Sequence, residues 1–224
     1  QHKVTDSSDL LMGRRIGNFV LMKLLVLFFS VVLLGCNCQK KVSWVVPEES
    51  DWAAVQFGGD GSAAWNEGEL HLDLGAELTG ILYQGELPTL PYELELETRR
   101  LNGSDFFCGL TFPVGSADEC LTLVVGGWGG GTVGISSIDG KDASQNETTF
   151  YRNFEDDQWY AIKLRVFKER IEVEMDGEKV IDLPTEGKEL GLRPGMIELC
   201  APMGLAAWQT EAEFRNLRWR SLVD

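Results

Sequence analysis

Strict two-residue alternation constrains this chain more than any other feature. Glu69-Leu70-His71-Leu72-Asp73-Leu74 alternates polar and apolar without a break, as does Tyr92-Glu93-Leu94-Glu95-Leu96-Glu97. Ala161 to Val166 and Arg170 to Met175 repeat the pattern. Successive side chains on a strand point to opposite faces, so each run predicts a strand with one face in a core and one in water. Cys120 to Val125 is nearly all apolar and predicts a more deeply buried strand. Asp176-Gly177, between one alternating run and Glu178-Lys179-Val180-Ile181, is a hairpin signal. Prolines 88, 91, 113, 184, 194 and 202 all fall between runs, and beyond residue 36 no segment carries a 3.6-residue apolar stripe of helical length. The pattern predicts roughly a dozen short antiparallel strands in an all-β jelly-roll sandwich of two sheets. An immunoglobulin-like sandwich, usually about 100 residues and seven strands, fits less well.

The N-terminal part has a different character. Leu24 to Leu34 is an apolar run of 11 residues interrupted by Ser30, about 16 Å of helix, too short for a hydrocarbon core of ~30 Å. Met22-Lys23 precedes it and Leu33-Leu34-Gly35-Cys36 ends it. A short apolar stretch behind a positive charge is the pattern of an export signal. Together these residues resemble a bacterial lipoprotein signal peptide with lipidation at Cys36. Met12 and Met22 are both candidate starts. The expected organisation is therefore an extension and signal over 1–35, a tether over 36–43 and a jelly-roll domain over 44–224, exported and lipid-anchored in the cell envelope.

Charge narrows the partners. The chain carries a formal net charge of −15, and removing 1–35 takes away four basic and two acidic residues, leaving −17. Such a surface repels phosphate backbones, which excludes nucleic acid as an expected partner and leaves the acyl chains as the expected membrane contact. Cys38, Cys108, Cys120 and Cys200 allow three pairings, and an export compartment permits a disulfide among them. Oligomeric state is left open.

Several motifs, in order, resemble one family. The acidic strand Tyr92 to Arg99 comes first, then Trp159 opening a strand, the Met175-Asp176-Gly177 turn, and Gly195-Met196-Ile197-Glu198-Leu199. Phe214-Arg215-Asn216-Leu217-Arg218 closes the series and is its most specific member. Over about Trp44 to Leu222 the chain resembles the 3-keto-disaccharide hydrolase domain family, whose fold is the concanavalin-like jelly roll. The resemblance implies cleavage of 3-keto-glycosides by base-assisted elimination or hydrolysis. That chemistry needs a base at C2–H, hydrogen-bond donors or a cation at the ketone, and an acid for the leaving oxygen. Two other functions remain open: a non-catalytic glycan-binding module, and a structural or interaction domain of the envelope. The segment from Asn102 to Phe150 is distinctive, so no catalytic set carries over residue by residue.

Candidate residues follow from chemistry. Arg99 extends the polar face of Glu93, Glu95 and Glu97; it is either a cross-strand ion pair or the group that holds a ketone oxygen. His71 lies on another polar strand face, as a surface residue or a proton-transfer group. Trp128, set among Gly126, Gly127, Gly129, Gly130 and Gly131, is a candidate platform for a sugar ring, with Trp65 and Trp208 as further candidates or core residues. Asp139, Asp142 and Glu147 sit in a polar loop that offers oxygen ligands to Ca²⁺ or another divalent metal, or is simply solvated. There is no G-x-S-x-G elbow, and a Ser-His-Asp triad would rest on His71 alone.

Overall fold

The computed structural model describes residues 43–115 and 119–222. The signal segment, the candidate starts, Cys36, Cys38 and most of the tether lie outside the described residues. In chain order the strands are β1 (Trp52–Ala54), β2 (Ala63–Asn66), β3 (Glu69–Leu72), β4 (Leu78–Tyr83), β5 (Tyr92–Gly103), β6 (Cys108–Pro113) and β7 (Cys120–Gly126). They continue as β8 (Thr132–Ser136), β9 (Phe150–Tyr151), β10 (Tyr160–Val166), β11 (Arg170–Met175), β12 (Glu178–Pro184), β13 (Gly204–Trp208) and β14 (Thr210–Ser221). Sheet I has the order β12-β11-β10-β5-β14-β3-β2 and sheet II the order β1-β4-β13-β6-β7-β8-β9; every pairing is antiparallel. This is the jelly-roll sandwich the alternation predicts.

Each predicted run becomes a strand, and the turns close them as their chemistry requires. Met175 pairs with Glu178, leaving Asp176 (φ 52°) and Gly177 (φ 81°) as a two-residue loop with both φ positive. That geometry matches the right-handed twist of the flanking strands. Glu67 (φ 52°) and Gly68 (φ 84°) join β2 to β3 in the same way.

The inward faces meet in one core that includes Leu94, Leu96, Ile162 and Leu164 from sheet I and Leu110, Leu121, Leu123 and Ile135 from sheet II. The Tyr92 hydroxyl donates to the Pro113 carbonyl at 2.7 Å, tying β5 to β6 across that core.

The closing Phe-Arg-Asn-Leu motif has a structural explanation. Phe214 and Leu217 are three residues apart, and a regular strand would send them to opposite faces. A bulge between Arg215 and Arg218, with Asn216 at φ 57°, turns both into the core. Asn216 Nδ2 and Arg215 Nε fix the bulge by donating to Glu97 at 3.0 and 2.7 Å.

The outward faces of the two sheets differ in kind. Sheet I carries a lattice of ion pairs, because the β5 carboxylates fall between cations of β10 and β14. Glu93 binds Arg165 and Arg220, both at 2.7 Å, and Glu95 binds Lys163 at 3.0 Å and Arg218 at 2.6 Å. Sheet II instead presents small and apolar residues: Gly80, Ala206, Gly109, Thr111, Thr122, Val124 and Ser136 alternate with its inward side chains. Cys108 lies in the main core and Cys200 in a smaller cluster with Leu78 and Ala206 on this outer side; both thiols are free.

Candidate functional site

Three depressions mark the surface of the described residues. A groove of about 580 Å³ lies over the charged lattice of sheet I. The charged groups lining it are consumed by one another: Glu95 by Lys163 and Arg218, Glu97 by Arg215 and Asn216, Glu174 by Arg165. The second, about 300 Å³, lies on the outer face of sheet II. Its floor is Thr122, Val124 and Ser136 of β7 and β8, and its walls include Phe106, Trp128, Trp208 and the segment from Arg193 to Ile197. An adjoining hollow of about 220 Å³ shares Phe106, Trp128, Arg193 and Trp208 with it and adds Asp105. The cleft on sheet II is the better candidate, because Arg193 and the Ser136 hydroxyl in it are not already paired with other side chains among the described residues.

The glycine run builds this cleft. Gly126, Trp128, Gly129 and Gly130 all have positive φ, at 81°, 48°, 91° and 98°. Three of these positions favour glycine, and at Gly126 a Cβ would also meet the Phe107 ring at 2.7 Å. The left-handed turn lifts the indole of Trp128 to 41% exposure. A tryptophan at φ 48° is strained and persists only where its surroundings hold it. Asp105 does so: Oδ1 accepts the Trp128 amide at 3.2 Å and the Phe106 amide at 2.8 Å, and Oδ2 the Gly129 amide at 3.5 Å.

The opposite wall comes from an irregular segment after β12. Met196–Cys200 forms a 3-10 turn whose Met196 and Ile197 pack, as Trp208 does, on the cluster of Leu78, Cys200 and Ala206. Arg193 precedes it, exposed, with its guanidinium 5.8 Å from the centre of the Trp128 ring. In the floor, Thr111 and Thr122 satisfy each other at 2.9 Å. Ser136 is 2% exposed, and its Oγ has no hydrogen-bond partner among the described residues.

The structure brings some of the predicted residues together and separates others. Trp128 and Trp208 meet in the cleft. Trp65 is not with them; it stands on β2 of sheet I, 6.5 Å from Trp52 and packed against the main core. Arg99 and His71 do come together, but on sheet I. Arg99 donates to Glu213 at 2.7 Å and 2.5 Å and stacks on Trp159 at 4.5 Å, which is the ion-pair reading of that residue.

His71 joins the same cluster, contacting Glu213 at 3.2 Å, Asp73 at 3.0 Å and Glu211 at 3.3 Å. Burial pulls its pKa down, but the hydrogen bonds it donates to Glu213 and Asp73 and the charges of Asp73 and Glu211 outweigh it, so the net shift is upward. Asp73 is held below its ordinary value, first by the Ser62 hydroxyl. Glu213 is lowered too: burial opposes this, and Arg99 and His71 prevail.

His71, Asp73 and Glu211 are also the one group of three among the described residues whose ligand atoms converge, within 4.8 Å, as metal ligands would. Asp139, Asp142 and Glu147 do not form such a group. Asp139 accepts the Glu189 amide, Asp142 the Ser144 amide and hydroxyl, and Glu147 the Lys188 ammonium. Their loop covers β8 instead, with Asn146 donating to the Ile135 carbonyl and Thr148 accepting the Ile135 amide, both at 2.8 Å.

Sequence reasoning missed Asp105, Phe106, Ser136 and Arg193. Asp105 before two phenylalanines and Arg193 before Pro194-Gly195 are turn-like contexts, but no spacing links them.

Fold and site together define a jelly-roll sandwich of two antiparallel sheets with an aromatic cleft on one of them. Known structures of this architecture include the exoplasmic/lumenal domain of VIP36 in a Ca²⁺- and mannose-bound form, 12% identical over 78% of this chain and 84% of that one, with a TM-score of 0.52. The carbohydrate recognition domain of Emp46p is 11% identical over 78% of this chain and 90% of that one, with a TM-score of 0.50. A putative glycosyl hydrolase from Parabacteroides distasonis is 12% identical over 78% of this chain and 89% of that one, with a TM-score of 0.49. At such identities the first two likenesses show the fold alone. No protein family matches the chain, and no curated protein does.

Proposed function

We propose that this protein binds carbohydrate in the cleft of sheet II. The observation that carries the reading is Trp128, raised by a strained turn into a cleft it shares with Trp208 and with the unpaired Ser136 hydroxyl. A sugar has an apolar face that stacks on an indole and hydroxyls that need buried polar partners, and a binding site of this kind combines a mostly apolar lining with a few placed polar groups. Sugar-bound relatives of the same architecture are consistent with it. The test is a glycan array followed by titration calorimetry of Trp128→Ala and Trp208→Ala. Binding that weakens at least tenfold in either variant supports the cleft. Binding unaffected by both removes it.

A second reading is cleavage of 3-keto-glycosides, the activity implied by the family resemblance. It is favoured by one observation: Asp105 and Arg193, a carboxylate and a cation, line the same cleft. Asp105 would take the C2 proton, and the electron pair would pass into an enolate whose oxygen Arg193 stabilises. Expulsion of the C1 aglycone oxygen, with uptake of a proton, would leave an enone to which water adds at C1. Aglycone release from a 3-keto-glucoside but not from its unoxidised parent, lost in Asp105→Asn, supports it; no release from keto-glycosides leaves the binding module. We also propose that the domain works outside the cytoplasm, anchored by lipid at Cys36. Cys36→Ser should abolish acyl labelling and release the protein from the membrane fraction.

A further inference from the structure

We propose that the cleft selects carboxylate-bearing sugars and that Arg193 is the residue that reads the carboxylate; this rests on the carbohydrate reading above. The chain has a net charge of −15, and its described arginines are almost all neutralised. Of the nine described arginines, eight bind a carboxylate. Arg193 is the exception among the described residues. Lys141 and Lys168 also lack a carboxylate partner there, but they do not line the cleft.

Two acidic groups beside the cleft, Asp105 and Glu198, are engaged by backbone amides. Asp105 accepts backbone amides of the Trp128 turn, and Glu198 accepts the Gly195 amide at 3.0 Å. Arg193 therefore stands over the Trp128 indole with its planar fork of donors open. A guanidinium pairs with a carboxylate through two parallel hydrogen bonds, geometry that a neutral hydroxymethyl group cannot reproduce. The site that results has an indole for a ring face, a buried hydroxyl in the floor and a cation at the rim. Its complement is a sugar ring that carries a carboxylate beside an apolar face.

Uronic acids and sialic acids both meet that description, and the assay separates them. Binding of wild type, Arg193→Gln and Arg193→Lys is measured by calorimetry against oligogalacturonate, a sialylated trisaccharide and their neutral counterparts. Arg193 is exposed, so neither variant threatens the fold, and thermal melts confirm this. We expect one acidic ligand to bind wild type about tenfold more tightly than its neutral counterpart, equivalent to about 1.4 kcal/mol. Arg193→Gln should erase that preference and Arg193→Lys restore part of it. Equal binding of acidic and neutral sugars, or a preference that survives Arg193→Gln, overturns the inference and leaves the carbohydrate reading standing. Binding of no glycan by the wild type overturns both.

Discussion

Replacing Glu93 with alanine should cost far more than replacing Glu97, although both are β5 glutamates in the same lattice. The Glu93 side chain is 3% exposed and is held by Arg165 Nε and Arg220 Nη2, both at 2.7 Å. Removing one member of a buried pair leaves an uncompensated charge, about 3–5 kcal/mol when burial is complete. Here the stranded partners keep some water, and Arg165 retains Glu174 at 2.6 Å. Arg220 keeps no carboxylate among the described residues, and its Nε is already buried without a partner. The cost therefore falls at or just below the foot of that range, about 2–3 kcal/mol, or roughly 5–10 °C in Tm for a domain of this size. Glu97 is 30% exposed, and its pair with Arg215 should be worth about 1 kcal/mol or less.

The assay is urea and thermal unfolding of both variants, at low and at high salt. Solvent-exposed pairs are screened and buried ones much less, so the Glu97→Ala cost should shrink in salt while the Glu93→Ala cost persists. If the two variants lose equal stability, or if salt abolishes both losses, the reasoning that assigns the difference to burial is wrong.

Other outcomes follow from the same geometry. The raised pKa of His71 means that its ion pairs stabilise the fold fully below its unfolded value of about 6.5 and lose that contribution as pH rises through the folded value; the Tm gap between wild type and His71→Gln should therefore be larger at about pH 6 than at about pH 9. Burial pushes the Cys108 and Cys200 thiols up to about 12, so neither should react with a thiol reagent near neutral pH until the protein unfolds. Trp65→Leu should lower Tm without changing glycan affinity, since Trp65 packs on the core and not in the cleft; a loss of affinity at unchanged Tm would put it back among the ligand contacts. At Gly134 a Cβ would press into the Ala143 carbonyl, so Gly134→Ala should cost about 1–3 kcal/mol and speed proteolysis in the 139–149 loop.

Most of the framework was legible from local patterns. The runs at Glu69, Tyr92, Ala161 and Arg170 became β3, β5, β10 and β11, and Asp176-Gly177 became the predicted hairpin, because strand alternation and turn chemistry are properties of adjacent residues. The bulge at Asn216 also follows a local conflict, an apolar pair three residues apart on a strand. Arg99 illustrates where local reading stops: both of its proposed roles were compatible with alternation, and only the register of β5 against β14, which puts Arg99 opposite Glu213, supplies its ion-pair partner.

The sequence alone determined that this chain is a two-sheet β protein with a strongly acidic surface, because periodicity and charge need no knowledge of what packs where. Tertiary structure decided the rest. The order β4-β13-β6-β7-β8 assembles Leu78, Trp208, Thr122 and Ser136 on one face, and loops separated by scores of residues add Asp105, Trp128 and Arg193. Strand order is set by non-local pairing, and so is the sheet face left uncovered, which is why Trp128 and Trp208 share a cleft and Trp65 does not.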